Sequence, residues 1–139
     1  MVQLAYTILS PALGQRRHRL AHAAVDHALL AVPATAGAAT DYSRLRARVV
    51  RRALAAGRHR VPVSRPPRIA EARRARTAPA GEELVWLLPA ARAAYALHHL
   101  EGLDIHATQE LLGACGVGDP AAATELADRL RPGVLPTPA

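Results

Sequence analysis

Residues 83–113 read Glu83-Leu-Val-Trp86-Leu-Leu-Pro89-Ala-Ala-Arg92-Ala-Ala-Tyr-Ala-Leu-His-His-Leu100-Glu-Gly102-Leu-Asp104-Ile-His-Ala-Thr-Gln-Glu110-Leu-Leu-Gly113. The stretch is a set of short helices with their own punctuation. Pro89 suits a first helical turn, where its missing N–H has no intrahelical partner to lose. The helix it opens places Ala93, Ala96, Leu97 and Leu100 on one face and stops at Gly102, a residue free to take the left-handed terminator conformation. Asp104 is positioned to cap a second helix whose inward positions are Ile105, Thr108, Leu111 and Leu112, with Gly113 as its end. Beyond a glycine-rich turn, Asp119 and Pro120 mark the cap and first position of a third helix. Its buried stripe is Ala123, Leu126, Ala127 and Leu130. Two compact helices joined by a tight turn form a helix-turn-helix arrangement.

Outward from this stretch the composition narrows the possibilities. The 139 residues carry eighteen Arg, no Lys and no Phe, and aromatic residues make up 3%. A core must therefore be built from Ala, Leu and Val, which favours helix over sheet and gives marginal stability. Net charge is +7 but unevenly spread: residues 1–76 hold fifteen Arg against three acids, and residues 77–139 hold three Arg against eight. A basic half beside a mildly acidic one is a distribution that accompanies polyanion binding. Cys115 is alone, so no intramolecular disulfide can form. No secretory leader or membrane-length apolar run is read, and the expected compartment is the cytoplasm.

In chain order, residues 4–9 are a short apolar run and residues 16–31 a helical one, with Leu13, Leu20, Ala24, Ala28 and Leu30 near one side. Residues 33–40 read as a linker. Asp41 is a plausible cap for a helix over 42–56, with Leu45, Val49, Ala53 and Leu54 inward and Gly57 as its stop. Residues 57–81 form an Arg- and Pro-rich connector, expected to be extended or disordered, and 132–139 a disordered tail.

The run from Leu87 to Gly113 resembles region 4 of sigma-70 family RNA polymerase sigma factors of the extracytoplasmic-function type. Arg92-Ala93-Ala94, Leu100-Glu101-Gly102-Leu103 and Glu110-Leu111-Leu112-Gly113 match that pattern in order and spacing. Leu4-Ala5-Tyr6 is similar to the opening of region 2, whose acidic continuation is reduced here to Val25-Asp26-His27-Ala28-Leu29. The resemblance implies an all-α protein with a degenerate region 2-like segment at 1–56 and a region 4-like helix-turn-helix at 82–131. Duplex DNA and the RNA polymerase core are the implied partners.

The chemistry of individual residues modifies that expectation. The helix meant for the major groove would present Ala121, Thr124, Glu125, Asp128 and Arg131, a face with more acid than base. Phosphate neutralisation supplies most nonspecific affinity, so this face gains little from it. Promoter melting needs aromatic surfaces for flipped bases, and Tyr42 is the only aromatic between Leu30 and Pro79. Promoter opening by this chain alone is therefore not expected. The cations sit elsewhere. Arg44, Arg48, Arg51 and Arg52 would be presented together by one helix as phosphate contacts, with Arg129 and Arg131 as further candidates; the alternative is a solvated basic linker.

His18 and His22 have the i, i+4 spacing of zinc ligands, but no third ligand lies at metal spacing, so no metal and no cofactor is expected. No nucleophile elbow, phosphate loop or paired carboxylates point to an enzyme or a small-molecule substrate. A rival to DNA binding is a protein–protein interaction module that docks a regulatory partner through Trp86, Leu87 and Leu88. Packing of the first helix against the motif is the simpler role for these three.

Overall fold

The computed structural model describes residues 1–9, 13–31, 37–58 and 89–129, and these form an all-α protein. Six helices occur among the described residues: α1 (Val2–Ile8), α2 (Gln15–Leu30), α3 (Ala38–Arg58), α4 (Pro89–His99), α5 (Ile105–Ala114) and α6 (Pro120–Asp128). No helix among them is long and apolar enough to cross a membrane.

The centre is α4. Every residue from Ala91 to Leu97 is buried, so this helix has no solvent face between those positions. A helix buried all round must be surrounded, and α4 packs against α1, α3, α5 and α6. Its alanines make that possible: four of the seven residues present only a methyl group, which lets neighbours approach on several sides. The expected one-sided stripe was too narrow, and Leu100, placed on it, is only partly buried.

One hydrophobic cluster runs through both ends of the sequence, from Leu4, Ile8 and Leu9 through Val49, Val50 and Leu54 to Ala93, Leu97, Leu112 and Leu126. The helices read as belonging to 1–56 and to 82–131 thus share one core. Two buried arginines explain how the seven-residue α1 is held in it. A helix this short is unstable alone, and its last carbonyls have no intrahelical donors. The Arg17 Nε donates to the Tyr6 carbonyl at 2.7 Å, and the Arg92 Nε donates to the Ile8 carbonyl at 2.9 Å. Both guanidinium groups stand at the negative end of the α1 dipole. Arg17 also lies over the Tyr6 ring at 4.0 Å, and burial pushes its pKa down.

Several sequence expectations hold at the C-terminal helices. The Asp104 Oδ1 accepts from the Ala107 N–H at 2.7 Å, and the Asp119 Oδ1 accepts from the Ala122 N–H at 3.0 Å, with Pro120 opening α6. Asp104→Ala and Asp119→Ala should each cost about 1 kcal/mol of stability, read as a lowered urea midpoint at unchanged slope. Gly102 has φ +68° and its Cβ position is open, so a substitution there is strained by the backbone alone.

Other expectations need correction. Gly113 does not end α5, which continues to Ala114; the left-handed turn is made by Gly116 at φ +87°. Gly113 instead faces Pro120, whose Cγ lies 3.8 Å from where a Cβ would be. Ile105, read as inward, is 53% exposed because it is the first residue of α5, ahead of the turn that reaches the core. On α2, Leu30 is 86% exposed and Arg17 takes a buried position that the apolar pattern did not assign to it. The third helix begins at Ala38, inside the expected 33–40 linker, so Asp41 lies in its first turn and is not the cap. It also runs through Gly57 to Arg58, since one glycine in a last turn costs only about 1 kcal/mol. The expected disorder at 59–81 and 132–139 lies outside the described residues.

Candidate nucleic-acid interface

Four of the arginines expected to contact phosphate, Arg44, Arg48, Arg51 and Arg52, ride on α3. Its inward face is Val49, Val50, Ala53 and Leu54, which fixes its rotation and leaves the intervening positions outward. Arg44 and Arg52 are exposed, and Arg48 is half-buried. Arg48, Arg51 and Arg52 line an open groove of about 510 Å³ between α2 and α3. Across from them stand His27, Ala28 and Ala31 at the C-terminal end of α2, with Ala55 completing the apolar part. None of these lining residues is acidic, so the groove concentrates positive potential over a small-residue floor.

Arg51 serves two places. Its Nη2 donates to the Ala114 carbonyl at 3.2 Å, one of the carbonyls left without an intrahelical donor at the C-terminus of α5. The groove is therefore tied to the C-terminal helices through one of its own cations. Cys115 sits at the same junction, with its Sγ donating to the Ala47 carbonyl at 3.5 Å. Burial pushes the Cys115 thiol pKa up, with nearby Arg51 partly opposing. At pH 8 the protein should react with a thiol reagent far more slowly than the same chain in denaturant, because the reactive thiolate is scarce and enclosed. Equal rates would show that the α3–α5 junction is open in solution.

A second link holds α3 to the loop after α4. The Tyr42 hydroxyl donates to the Glu101 Oε2 at 2.8 Å, and Arg46 approaches the same oxygen at 3.7 Å. The hydrogen bond to Glu101 raises the Tyr42 pKa. Tyr42, the one aromatic expected near the basic segment, is thus held at its hydroxyl while its ring stays partly exposed.

The face of α6 expected to enter a DNA groove is different in kind. Ala121, Glu125 and Asp128 are exposed, but Thr124 is buried. Its hydroxyl donates to the Ala121 carbonyl at 2.8 Å and accepts from the Gln109 Nε2 at 2.9 Å, so it joins α5 to α6. Arg129 is ion-paired with Glu125 one turn away. What remains outward is acidic, and α6 packs on α4 and α5. Arg131, Trp86, Leu87 and Leu88 lie outside the described residues.

The adjacent histidines of α4 have structural partners. The His98 Nδ1 donates to the Leu103 carbonyl at 2.7 Å, and the His99 ring lies 4.3 Å from that of Tyr95. Burial, with His98 adding to it and Asp128 opposing, lowers the His99 pKa. Sequence reasoning found the arginines of the groove but not His27, Ala28, Ala31 or Ala55. Nothing in the sequence says that the end of α2 meets the middle of α3. No protein-family model, curated protein or solved structure matches this chain.

Proposed function

We propose that the chain is a sigma-factor-like, transcription-associated protein of the cytoplasm that binds nucleic acid through the α2–α3 groove, without catalysis. The observation that carries the reading is the convergence of Arg48, Arg51 and Arg52 on one concave surface, with Arg44 further along the same helix. Guanidinium groups grip phosphate oxygens in fixed geometry and release counterions from the backbone. The resemblance of residues 87–113 to region 4 supplies the transcriptional context. The acidic outward face of α6 offers neither phosphate contact nor a basic reader of base edges. Binding under this reading is sequence-tolerant, and the chain does not open promoters by itself.

The test is equilibrium binding to random duplex DNA from 50 to 300 mM salt, paired with in vitro transcription using core polymerase. A steep linear fall of log K with log salt supports the reading. A flat response removes it, and specific initiation by the chain alone removes the claim about promoter opening.

A specific observation also favours a protein partner for part of this surface. Leu29 and Leu30 are 53% and 86% exposed at the end of α2 that carries the groove residues His27, Ala28 and Ala31. An apolar edge next to a basic one suits an acidic, amphipathic protein segment, such as a polymerase subunit or a regulator could offer. Capture of polymerase subunits that survives nuclease treatment, and is lost in Leu29→Ser/Leu30→Ser, would support this second reading.

A further inference from the structure

We infer that His18 and His22 form a bidentate site for a late first-row divalent metal ion, such as Ni²⁺ or Zn²⁺. They lie one turn apart on α2, and their Nε2 atoms converge to 3.2 Å with ring centroids 4.7 Å apart. Two metal–nitrogen bonds of about 2.05 Å spanning that gap subtend roughly 100° at the metal, between the octahedral and tetrahedral angles. Without a metal the same contact requires one Nε2 to carry the proton and the other to accept it.

The surroundings set both the hold and the strength. The His18 ring meets the edge of Tyr6 on α1 at 6.3 Å, which restrains the inner ligand, while His22 is exposed and leaves room for water in the remaining coordination positions. The neighbouring cation Arg17 is turned onto Tyr6 by its hydrogen bond to the Tyr6 carbonyl. Asp26, one turn beyond His22 on the same stripe, offers the helix's nearest carboxylate, and Arg19 offsets it. The buried His18 Nδ1 has no hydrogen-bond acceptor among the described residues, so the outer support that tightens histidine–metal bonds is missing. The site is therefore weak and exchangeable, and it staples the first half of α2 while α1 holds that segment from beneath.

The experiment is calorimetric titration of the full chain with NiCl2 and, separately, ZnCl2, for the wild type, His22→Ala and His27→Ala. His22 is exposed, so its removal leaves the fold intact; His27, outside the pair, is the control. The expected result is at least tenfold weaker binding in His22→Ala, unchanged binding in His27→Ala, and a metal-induced rise in melting temperature that His22→Ala loses. Superimposable isotherms for wild type and His22→Ala, or no binding of either ion to the wild type, would overturn the assignment and leave the pair as a simple hydrogen bond.

Discussion

Arg92→Met is expected to lower the stability of the fold by about 2–4 kcal/mol, a loss of roughly 10 °C in melting temperature. Methionine keeps most of the side-chain volume and removes the donors and the charge together, so the substitution tests the polar contacts of Arg92 without opening a large cavity. Arg92 is 3% exposed, and its Nε is the donor that reaches the Ile8 carbonyl. Without it a carbonyl at the end of α1 loses its buried donor, and an unpaired acceptor inside the fold is costly. Removing a buried cation also relieves a desolvation cost, which is why the upper figure stays below that for breaking a buried ion pair. The loss should appear first in α1. Amide exchange at Leu4–Ile8 should rise to the global unfolding rate or beyond, while α5 and α6 keep their protection. A change below 1 kcal/mol would mean that the two opposing terms cancel.

The second large effect concerns binding. Replacing Arg48, Arg51 and Arg52 together by glutamine should reduce the magnitude of the log K against log salt slope for random duplex by about 3. The affinity loss should be the same for every DNA sequence, since phosphate contacts carry no sequence information. Arg51→Gln also removes the bond to the Ala114 carbonyl, so the Arg48→Gln/Arg52→Gln pair serves as the variant with an undisturbed α3–α5 junction. That pair should change the slope by about 2. Arg129→Gln should leave binding unchanged, because Arg129 is spent on Glu125 within an acidic face. If the triple variant binds as the wild type does while Arg129→Gln does not, the interface is on α6 and the groove is not the site.

The termini of the C-terminal helices were readable because they are local events. An aspartate cap reaches a donor three residues away, proline fixes its own φ, and Gly102 needs no tertiary contact to turn left-handed. The same local rules misplaced Gly113, because two glycines in Gly113-Ala-Cys-Gly116 can each end a helix, and it is Gly116 that takes the positive φ. Thr124 looked like a surface position on a helical wheel. It is buried because Gln109 of α5 reaches over it, a fact no period within α6 contains.

Alone, then, the sequence determined the helical class, from its alanine and leucine content and its lack of Phe; the aspartate caps that open α5 and α6; and the grouping of arginines on the outward side of α3. Only the tertiary structure decided that α4 is enclosed on all sides, that Arg17 and Arg92 cap one short helix, and that His27 faces Arg48 across a groove. The physical reason is range. Caps, turns and helical faces are set by interactions within about four residues, whereas Arg92 and Ile8 are 84 positions apart and meet only because a shared apolar core brings them together.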